Sequence, residues 1–219
     1  MRILMTILIA AMMMLLSACS SGTPSGAAVE KPTAAVSSEK VAPPAADGKR
    51  VLVVYFSRAD ENTGVGVIEK GNTRILAEMA AERLGADLFE IKAKQPYPKE
   101  YRATTEFAKQ EKEANARPAL VGTLPDLTKY DTVFLGYPIW WGDLPMPVYT
   151  FLEKENFAGK TILPFCTHEG SGISGTEKSI ADVTKADVKD GFELQGHIAQ
   201  NSPDEARAAL YEWMTKAGY

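Results

Sequence analysis

Strand-like apolar runs alternate with amphipathic helical segments after Arg50, and this alternation limits the possible folds more than any other feature. Residues 51–56 are almost entirely β-branched or aromatic, which is typical of a strand buried on both faces. Residues 72–84 follow with apolar positions at helical spacing, and Gly85 is placed to end that helix. Parallel strands need crossover connections, and right-handed crossovers put helices on both faces of a sheet. The alternation therefore predicts an α/β fold with a doubly wound parallel sheet.

Four more strand-like segments complete a predicted five-stranded parallel sheet. They are residues 88–91, 132–137 and 161–166, and a weaker pattern at residues 192–198. Two helices are predicted between them, at residues 99–114 and after Pro147, where the apolar residues are Val148, Tyr149, Phe151 and Leu152. A further helix is predicted at residues 174–183, with Ser174 and Glu177 as a capping box. The last predicted helix starts at Ser202 and Pro203, and its buried face consists of Ala206, Leu210, Trp213 and Met214.

The first 18 residues have the pattern of an export signal. Arg2 precedes an apolar run at residues 3–16, which is long enough for a signal-peptide core and short for a bilayer span. The sequence Leu16-Ser17-Ala18-Cys19 then resembles the lipobox of bacterial lipoproteins, which implies cleavage before Cys19 and a diacylglycerol on its sulfur. The alternative is a plain cleavage site in which Cys19 is an ordinary small residue.

Residues 19–49 are predicted to be a tether between the lipid and the domain at residues 50–219. Ser, Gly, Ala and Pro dominate residues 20–49, which contain no aromatic residue and no apolar periodicity. A chain of about 30 such residues reaches on the order of 30 Å. We therefore expect an exported lipoprotein, anchored to the membrane outside the cytoplasm, in either the inner or the outer membrane.

Charge and cysteine content exclude several classes of function. The chain carries 24 basic and 28 acidic residues, a net charge of −4, with no cationic stretch suited to nucleic acid. Its two cysteines are too few for a disulfide framework and lack the paired spacing of a zinc site. Cys166 lies within a predicted strand and is expected to be a small buried hydrophobic residue. No metal site is predicted.

Ligands of doubly wound sheets bind at the carboxyl ends of the strands, so the loops after strands carry the functional information. After the first strand, Ser57 and Arg58 are followed by Gly71-Asn72-Thr73 at the start of a helix. Free N–H groups and the helix dipole favour an anion there, such as a terminal phosphate. The alternative is that Asn72 only caps the helix. No Walker lysine follows, which argues against an NTPase.

The loop after the third strand contains Pro138, Ile139, Trp140, Trp141 and Gly142. Adjacent residues of an extended loop point to opposite sides, so if one indole packs inward the other faces the crevice. A planar ring system could stack on that indole. The alternative is that both tryptophans only fill space under the loop.

The loop after the fourth strand contains Thr167, His168, Gly170, Ser171 and Gly172, small residues that let the backbone approach a ligand. A flexible turn would look similar, and His168 could instead be an exposed histidine without a role. His197 falls in the weak fifth strand and is expected to be structural.

These loops, taken in order, resemble those of the flavodoxin-like family. Tyr55-Phe56-Ser57-Arg58 followed by Gly71-Asn72-Thr73 resembles its phosphate loop, although residues 59–70 are inserted between the two parts. Residues 138–141 resemble its Pro-Ile-Trp-Trp loop, and the loop after the fourth strand matches its second flavin-contacting loop. The resemblance implies the strand order 2-1-3-4-5 and bound FMN. The cofactor-binding residues that it implies are Ser57, Arg58, Gly71, Asn72, Thr73, Pro138, Ile139, Trp140, Trp141, Gly142, Thr167, His168, Gly170, Ser171 and Gly172.

A flavodoxin-like chain with this leader is expected to carry electrons through FMN, between redox partner proteins or to small electron acceptors. The flavin does the redox chemistry in such proteins, so we name no catalytic nucleophile or base. One alternative is an FMN-dependent reductase of quinones or other small acceptors, driven by NAD(P)H. Another is a binding module that keeps the fold without the flavin. The oligomeric state is left open.

Overall fold

A computed structural model of the protein describes residues 50–219, which form a central parallel sheet with helices on both faces. The strands are β1 (Val51–Tyr55), β2 (Asp60–Asn62), β3 (Gly66–Ile68), β4 (Asp87–Glu90), β5 (Thr132–Pro138), β6 (Thr161–His168), β7 (Asp187–Val188) and β8 (Phe192–Gln195). The helices are α1 (Asn72–Leu84), α2 (Tyr101–Glu113), α3 (Met146–Lys154), α4 (Thr176–Thr184), α5 (Gly196–Asn201) and α6 (Pro203–Lys216).

The strand order of the main sheet is β4-β1-β5-β6-β7, with every pairing parallel. This is the predicted order 2-1-3-4-5. The fifth strand is divided into two pieces, since β7 pairs with the first residues of β6 and β8 pairs with its last four. The main sheet therefore contains six strand segments in the five predicted positions.

Alternate residues of the central strands supply two separate cores, one on each face of the sheet. Leu52 and Leu135 face α3 and α4, whereas Val53 and Phe134 face α1, α5 and α6. All four side chains are essentially inaccessible to solvent. Strands that are apolar on both faces are stable only when helices cover both sides.

Helix α1 begins and ends as the sequence predicts, with Gly85 in the left-handed conformation after its last turn. The segment predicted as a helix at residues 99–114 forms α2. In α6, Ala206, Leu210 and Met214 are buried, whereas Trp213 is only partly buried and its Nε1 donates to the carbonyl of Asp190.

Two predictions about local structure are wrong. Ser174 and Glu177 form no capping box: α4 starts after Gly175, Ser174 Oγ donates to the carbonyl of Ser171, and Glu177 Oε1 accepts from Gly191 N. The strand predicted at residues 192–198 ends at Gln195, because residues 196–201 turn into α5 and pack against the start of α1. His197 is therefore on a helix.

The insertion at residues 59–70 forms an antiparallel hairpin of β2 and β3. Its base is fixed to the segment before α2, where Glu61 N donates to the carbonyl of Lys99 and Glu61 Oε2 accepts from Tyr101 N at 2.7 Å. The hairpin is thus attached to the domain by defined hydrogen bonds.

Within residues 50–219 no helix is long and apolar enough to cross a membrane. The predicted signal peptide, lipidated Cys19 and tether lie outside the described residues.

Candidate functional site

A cavity of about 380 Å³ opens at the carboxyl ends of β1, β5 and β6, where the strand order reverses. This is where ligands of doubly wound sheets bind, and the volume lies within the usual range of small-molecule sites. The predicted residues that line it are Arg58, Asn72, Pro138, Ile139, Trp140, Trp141, Thr167 and His168. The predicted residues that do not line it are Ser57, Gly71, Thr73, Gly142, Gly170, Ser171 and Gly172.

Ser57 and Gly71 lie side by side although the hairpin separates them in sequence. A Cβ on Gly71 would be 2.3 Å from Ser57 Oγ and 2.4 Å from the carbonyl oxygen of Arg58, so only glycine fits there. Ser57 Oγ also accepts a hydrogen bond from Arg74 N at 3.1 Å. The two ends of the insertion therefore lie side by side, so Ser57 and Gly71, the two parts of the predicted phosphate loop, stay in contact.

The amino end of α1 has backbone donors without partners inside the helix. The first hydrogen bond of α1 runs from Ile75 N to the carbonyl of Gly71, so the N–H groups of Asn72 and Thr73 precede it. Gly71 holds the N-cap position, and the remote Ser57 supplies the capping oxygen. The alternative that Asn72 only caps this helix is wrong.

Arg58 lines the cavity, but carbonyl groups engage its guanidinium. It donates to the carbonyl of Glu61 at 2.6 Å and to that of Pro98 at 2.9 Å. Partial burial lowers the pKa of Arg58 from its ordinary value. Arg58 thus fixes the hairpin to the segment before α2 and brings a positive charge to the cavity wall.

A buried hydrogen bond joins the first and third loops. The Oγ1 atoms of Thr73 and Thr167 lie 2.7 Å apart, and both residues are almost fully buried. A buried hydroxyl without a hydrogen-bond partner costs free energy, and here each hydroxyl serves as the partner of the other. Thr73 therefore acts in joining the loops.

The two tryptophans occupy different environments. Trp140 packs edge-on against Phe56 and Tyr97, with ring centroids 5.3 and 5.0 Å away, whereas Trp141 is 50% exposed. Trp141 and Gly142 both have positive φ angles, and Trp140 and Asp143 exchange two backbone hydrogen bonds around them. This geometry is a tight hairpin turn that places both indoles on the cavity wall.

Helix α2 holds Trp141 in its conformation. The indole Nε1 donates to the carbonyl of Thr105 at 2.9 Å, and Lys112 Nζ donates to the carbonyl of Trp141 at 2.7 Å. Lys112 also lies 3.3 Å from Asp143 Oδ2, and Lys109 Nζ lies 5.6 Å from the centre of the indole ring. The exposed indole is therefore a fixed surface with a positive charge near one face.

The side chain of His168 is only 8% exposed, so the alternative of an exposed histidine is wrong. Its Nδ1 accepts from Gly170 N at 2.9 Å, and its Nε2 lies 3.4 Å from Glu193 Oε2. Gly172 approaches the same carboxylate closely, since a Cβ there would be 2.7 Å from Glu193 Oε2. The third loop is thus folded around His168.

Several residues of the cavity wall were not predicted. They are Asn62, Thr63, Tyr101, Thr104, Thr105, Glu106, Ala108 and Glu169. Most belong to the hairpin and to α2, and no motif in the sequence indicates which part of the sheet edge a crossover helix will pack against. Glu169 stands inside the predicted third loop and could have been included.

Nothing in the described part of the chain points to a reactive thiol or a metal centre. Cys166 is fully buried, and this burial raises the pKa of its thiol far above the ordinary value. Residues 50–219 contain no group of three or more His, Cys, Asp or Glu side chains that could hold a metal ion.

Tyr149 supports the tryptophan turn, because its hydroxyl donates to Asp143 Oδ1 at 2.8 Å. Burial is the main cause and the contact with Asp143 the second, and together they raise the pKa of Tyr149 to about 12, above the ordinary value of a tyrosine. The stabilisation should therefore be complete below pH 10 and disappear as the pH rises toward 12.

We predict that Tyr149→Phe lowers the free energy of unfolding by about 1–2 kcal/mol near pH 8, because it removes this hydrogen bond. The difference from the wild type should shrink between pH 10 and pH 12. Urea denaturation at several pH values measures both effects. Tyr101→Phe, at an exposed tyrosine, is the control. A difference that stays constant up to pH 12 would contradict the assignment.

Comparison with known proteins gives the family. The family model described as Flavodoxin matches residues 50–216. A candidate flavoprotein from Bacteroides uniformis ATCC 8492 is 30% identical with a TM-score of 0.61, over 76% of this chain and 98% of its own. Another from Bacteroides eggerthii DSM 20697 is 28% identical with a TM-score of 0.57, over 72% of this chain and 98% of its own.

A more distant structure shares the fold alone. A flavoprotein from Lactobacillus acidophilus NCFM, solved in complex with FMN, is 18% identical with a TM-score of 0.52, over 69% of this chain and 97% of its own. Comparison with the curated proteins gave no match. The family match includes all the strands of the sheet and extends to the last residue of α6. This chain therefore belongs to the flavodoxin family.

Proposed function

We propose that the domain at residues 50–219 binds FMN in the cavity and that the protein carries electrons at a bacterial membrane surface. The observation that carries the proposal is the polarity of the cavity wall. Asn72, whose N–H precedes the first intrahelical hydrogen bond of α1, lines the cavity, and the indole-bearing residues Trp140 and Trp141 line it too. FMN has an anionic phosphate at one end and a planar ring at the other.

The residues at the anion end fit a phosphate. Backbone N–H groups at a helix amino end and the helix dipole both favour negative charge. Gly71 keeps this loop tight, because any side chain there would meet Ser57 and the backbone of Arg58. The positive charge of Arg58 on the cavity wall adds to the attraction.

The tryptophan-bearing part of the cavity wall fits a planar aromatic ring. Trp141 offers a half-exposed indole that donates to the carbonyl of Thr105, and Lys112 donates to the backbone carbonyl of Trp141. Offset stacking on such a surface contributes about 0.5–1.5 kcal/mol beyond the burial of area. Bound FMN would supply the redox chemistry, while these residues bind it, orient it and exclude water.

The chemistry of the side chains favours an electron carrier. Cys166 is buried with a raised pKa, and both ring nitrogens of His168 already face partners. An electron carrier needs no acid, base or nucleophile, only a cofactor that a partner can approach. The FMN complex of the Lactobacillus acidophilus flavoprotein supports the proposal at the level of the fold.

The start of the domain suits an anchor on Cys19. Residue 50 precedes β1 at the amino end of the strands, whereas the cavity opens at their carboxyl ends. A five-residue strand separates these ends by roughly 17 Å. A tether joined at residue 50 therefore leaves the mouth of the cavity free for redox partners.

We predict that the full chain, purified in detergent, binds added FMN and quenches its fluorescence. Trp141→Ala should weaken binding about tenfold and reduce the quenching, because the stacking surface is lost. Trp213→Phe is the matched control, since Trp213 packs on Phe134 and Phe192 away from the cavity. If added FMN stays free and fully fluorescent in the presence of the folded wild-type protein, the proposal is wrong.

Steady-state kinetics separate an electron carrier from a reductase. We expect the FMN-loaded protein to accept electrons from dithionite and to pass them to cytochrome c in a matching amount. We expect no sustained oxidation of NADH or NADPH, with or without an added quinone. Multiple turnovers with either nucleotide would favour the reductase instead.

Fractionation of cells tests the anchor. The wild-type chain is expected in the membrane fraction and should incorporate labelled palmitate, whereas Cys19→Ser should incorporate none. Wild-type protein that is soluble and has no lipid mass at Cys19 would rule out the anchor.

A further inference from the structure

Helix α5 contacts two of the three ligand loops, although no part of it was predicted to belong to the site. Gln200 Nε2 donates to the carbonyl of Lys70 at 2.6 Å and to Asn72 Oδ1 at 2.9 Å. On the other side, His197 donates from its backbone N–H to Glu169 Oε1 at 2.8 Å, and its Nδ1 lies 2.7 Å from Glu169 Oε2. Helix α5 therefore connects the phosphate loop to the third loop.

Gly196 allows this close approach. A Cβ at this position would be 2.0 Å from Asn72 Nδ2 and 3.0 Å from Glu169 Oε1. Any other residue would force the Asn72 side chain or α5 to move. The first residue of α5 thus lies directly against the Asn72 carboxamide.

The partners of Gln200 decide which end of the Asn72 carboxamide is occupied. The carbonyl of Lys70 can only accept, so Gln200 must direct its NH₂ group toward it. That NH₂ group can only donate, so Asn72 must turn its Oδ1 toward Gln200. The NH₂ end of Asn72, which lies beside Gly196, is then the end that can donate to another partner, and Asn72 lines the cavity.

We propose that Gln200 is a positioning residue for the phosphate end of the flavin site. It holds Asn72 so that the carboxamide presents its N–H donors, and not its oxygen, to the phosphate of FMN. This inference rests on the proposed function. Donors attract phosphate oxygens and a carbonyl oxygen repels them, so this orientation favours FMN over riboflavin, which has no phosphate.

The test is to measure the dissociation constants of FMN and riboflavin for the full chain in detergent. Gln200→Met keeps the size of the side chain and removes its amide. It should raise the Kd of FMN about tenfold and leave the Kd of riboflavin unchanged, because only the charge-assisted contact to phosphate is affected. Asn201→Met, at the exposed neighbouring position, is the matched control.

A second pair of variants keeps the test decisive if Gln200→Met folds poorly. Gln200→Glu places an ionised carboxylate beside Asn72. Because a carboxylate can only accept hydrogen bonds, Asn72 must turn the NH₂ end of its carboxamide toward it. Asn201→Glu adds the same charge one residue away. We expect a clearly greater loss of FMN affinity from Gln200→Glu than from Asn201→Glu, with riboflavin affinity unchanged in both.

Equal losses for FMN and riboflavin in the folded Gln200 variants, or no loss for FMN, would overturn the inference. A wild-type chain that binds neither flavin would instead refute the proposed function. In that case inorganic phosphate tests the inference separately through the NMR signals of the Asn72 side-chain NH₂ group. These signals should shift with phosphate in the wild type and not in Gln200→Met, and identical responses would overturn it.

Discussion

Parallel hydrogen bonding of β5 to both β1 and β6 determines where the three predicted ligand loops meet. The register places Tyr55 beside Gly136, and Pro138 beside Thr167, so the three parallel strands end at the same edge of the sheet, with β5 and β6 extending past the end of β1. The loops that follow must then meet at one edge of the sheet. The Thr73–Thr167 hydrogen bond is a direct consequence, since it joins two loops 94 residues apart in sequence. The cavity depends on this register more than on any single residue of its wall.

The remaining walls come from elements that the sheet does not position directly. Helix α2 and the β2–β3 hairpin are held to each other through Arg58 and Glu61, and α2 is held to the tryptophan turn through Thr105 and Lys112. Most of these contacts are hydrogen bonds from a side chain to a backbone carbonyl. Every residue has a backbone carbonyl, so such a bond depends little on which residue supplies the acceptor. The sheet thus fixes the floor of the site, and a network of polar contacts fixes its sides.

Sequence reasoning succeeded where backbone periodicity and the sheet control the outcome. The run of apolar residues in β1 and the stripe ending at Gly85 specify their elements locally, and the strand order follows from the family resemblance. It failed where tertiary contacts override local signals. Ser174 and Glu177 have the spacing of a capping box, yet the Glu177 carboxylate bonds to Gly191 instead. The fifth strand ends at Gln195, and the next residue, Gly196, begins α5 in close contact with Asn72.

The insertion in the phosphate loop shows why spacing along the chain is a poor guide to proximity in a site. Between Ser57 and Gly71 the chain makes a complete hairpin, and yet the two residues are in van der Waals contact. What the site requires is that Ser57 cap α1 through Arg74 N and that Gly71 leave room for it. An antiparallel hairpin satisfies both requirements, because its two ends lie side by side. The same hairpin then contributes Asn62 and Thr63 to the cavity, so the inserted residues extend the site without disturbing its anion-receptive end.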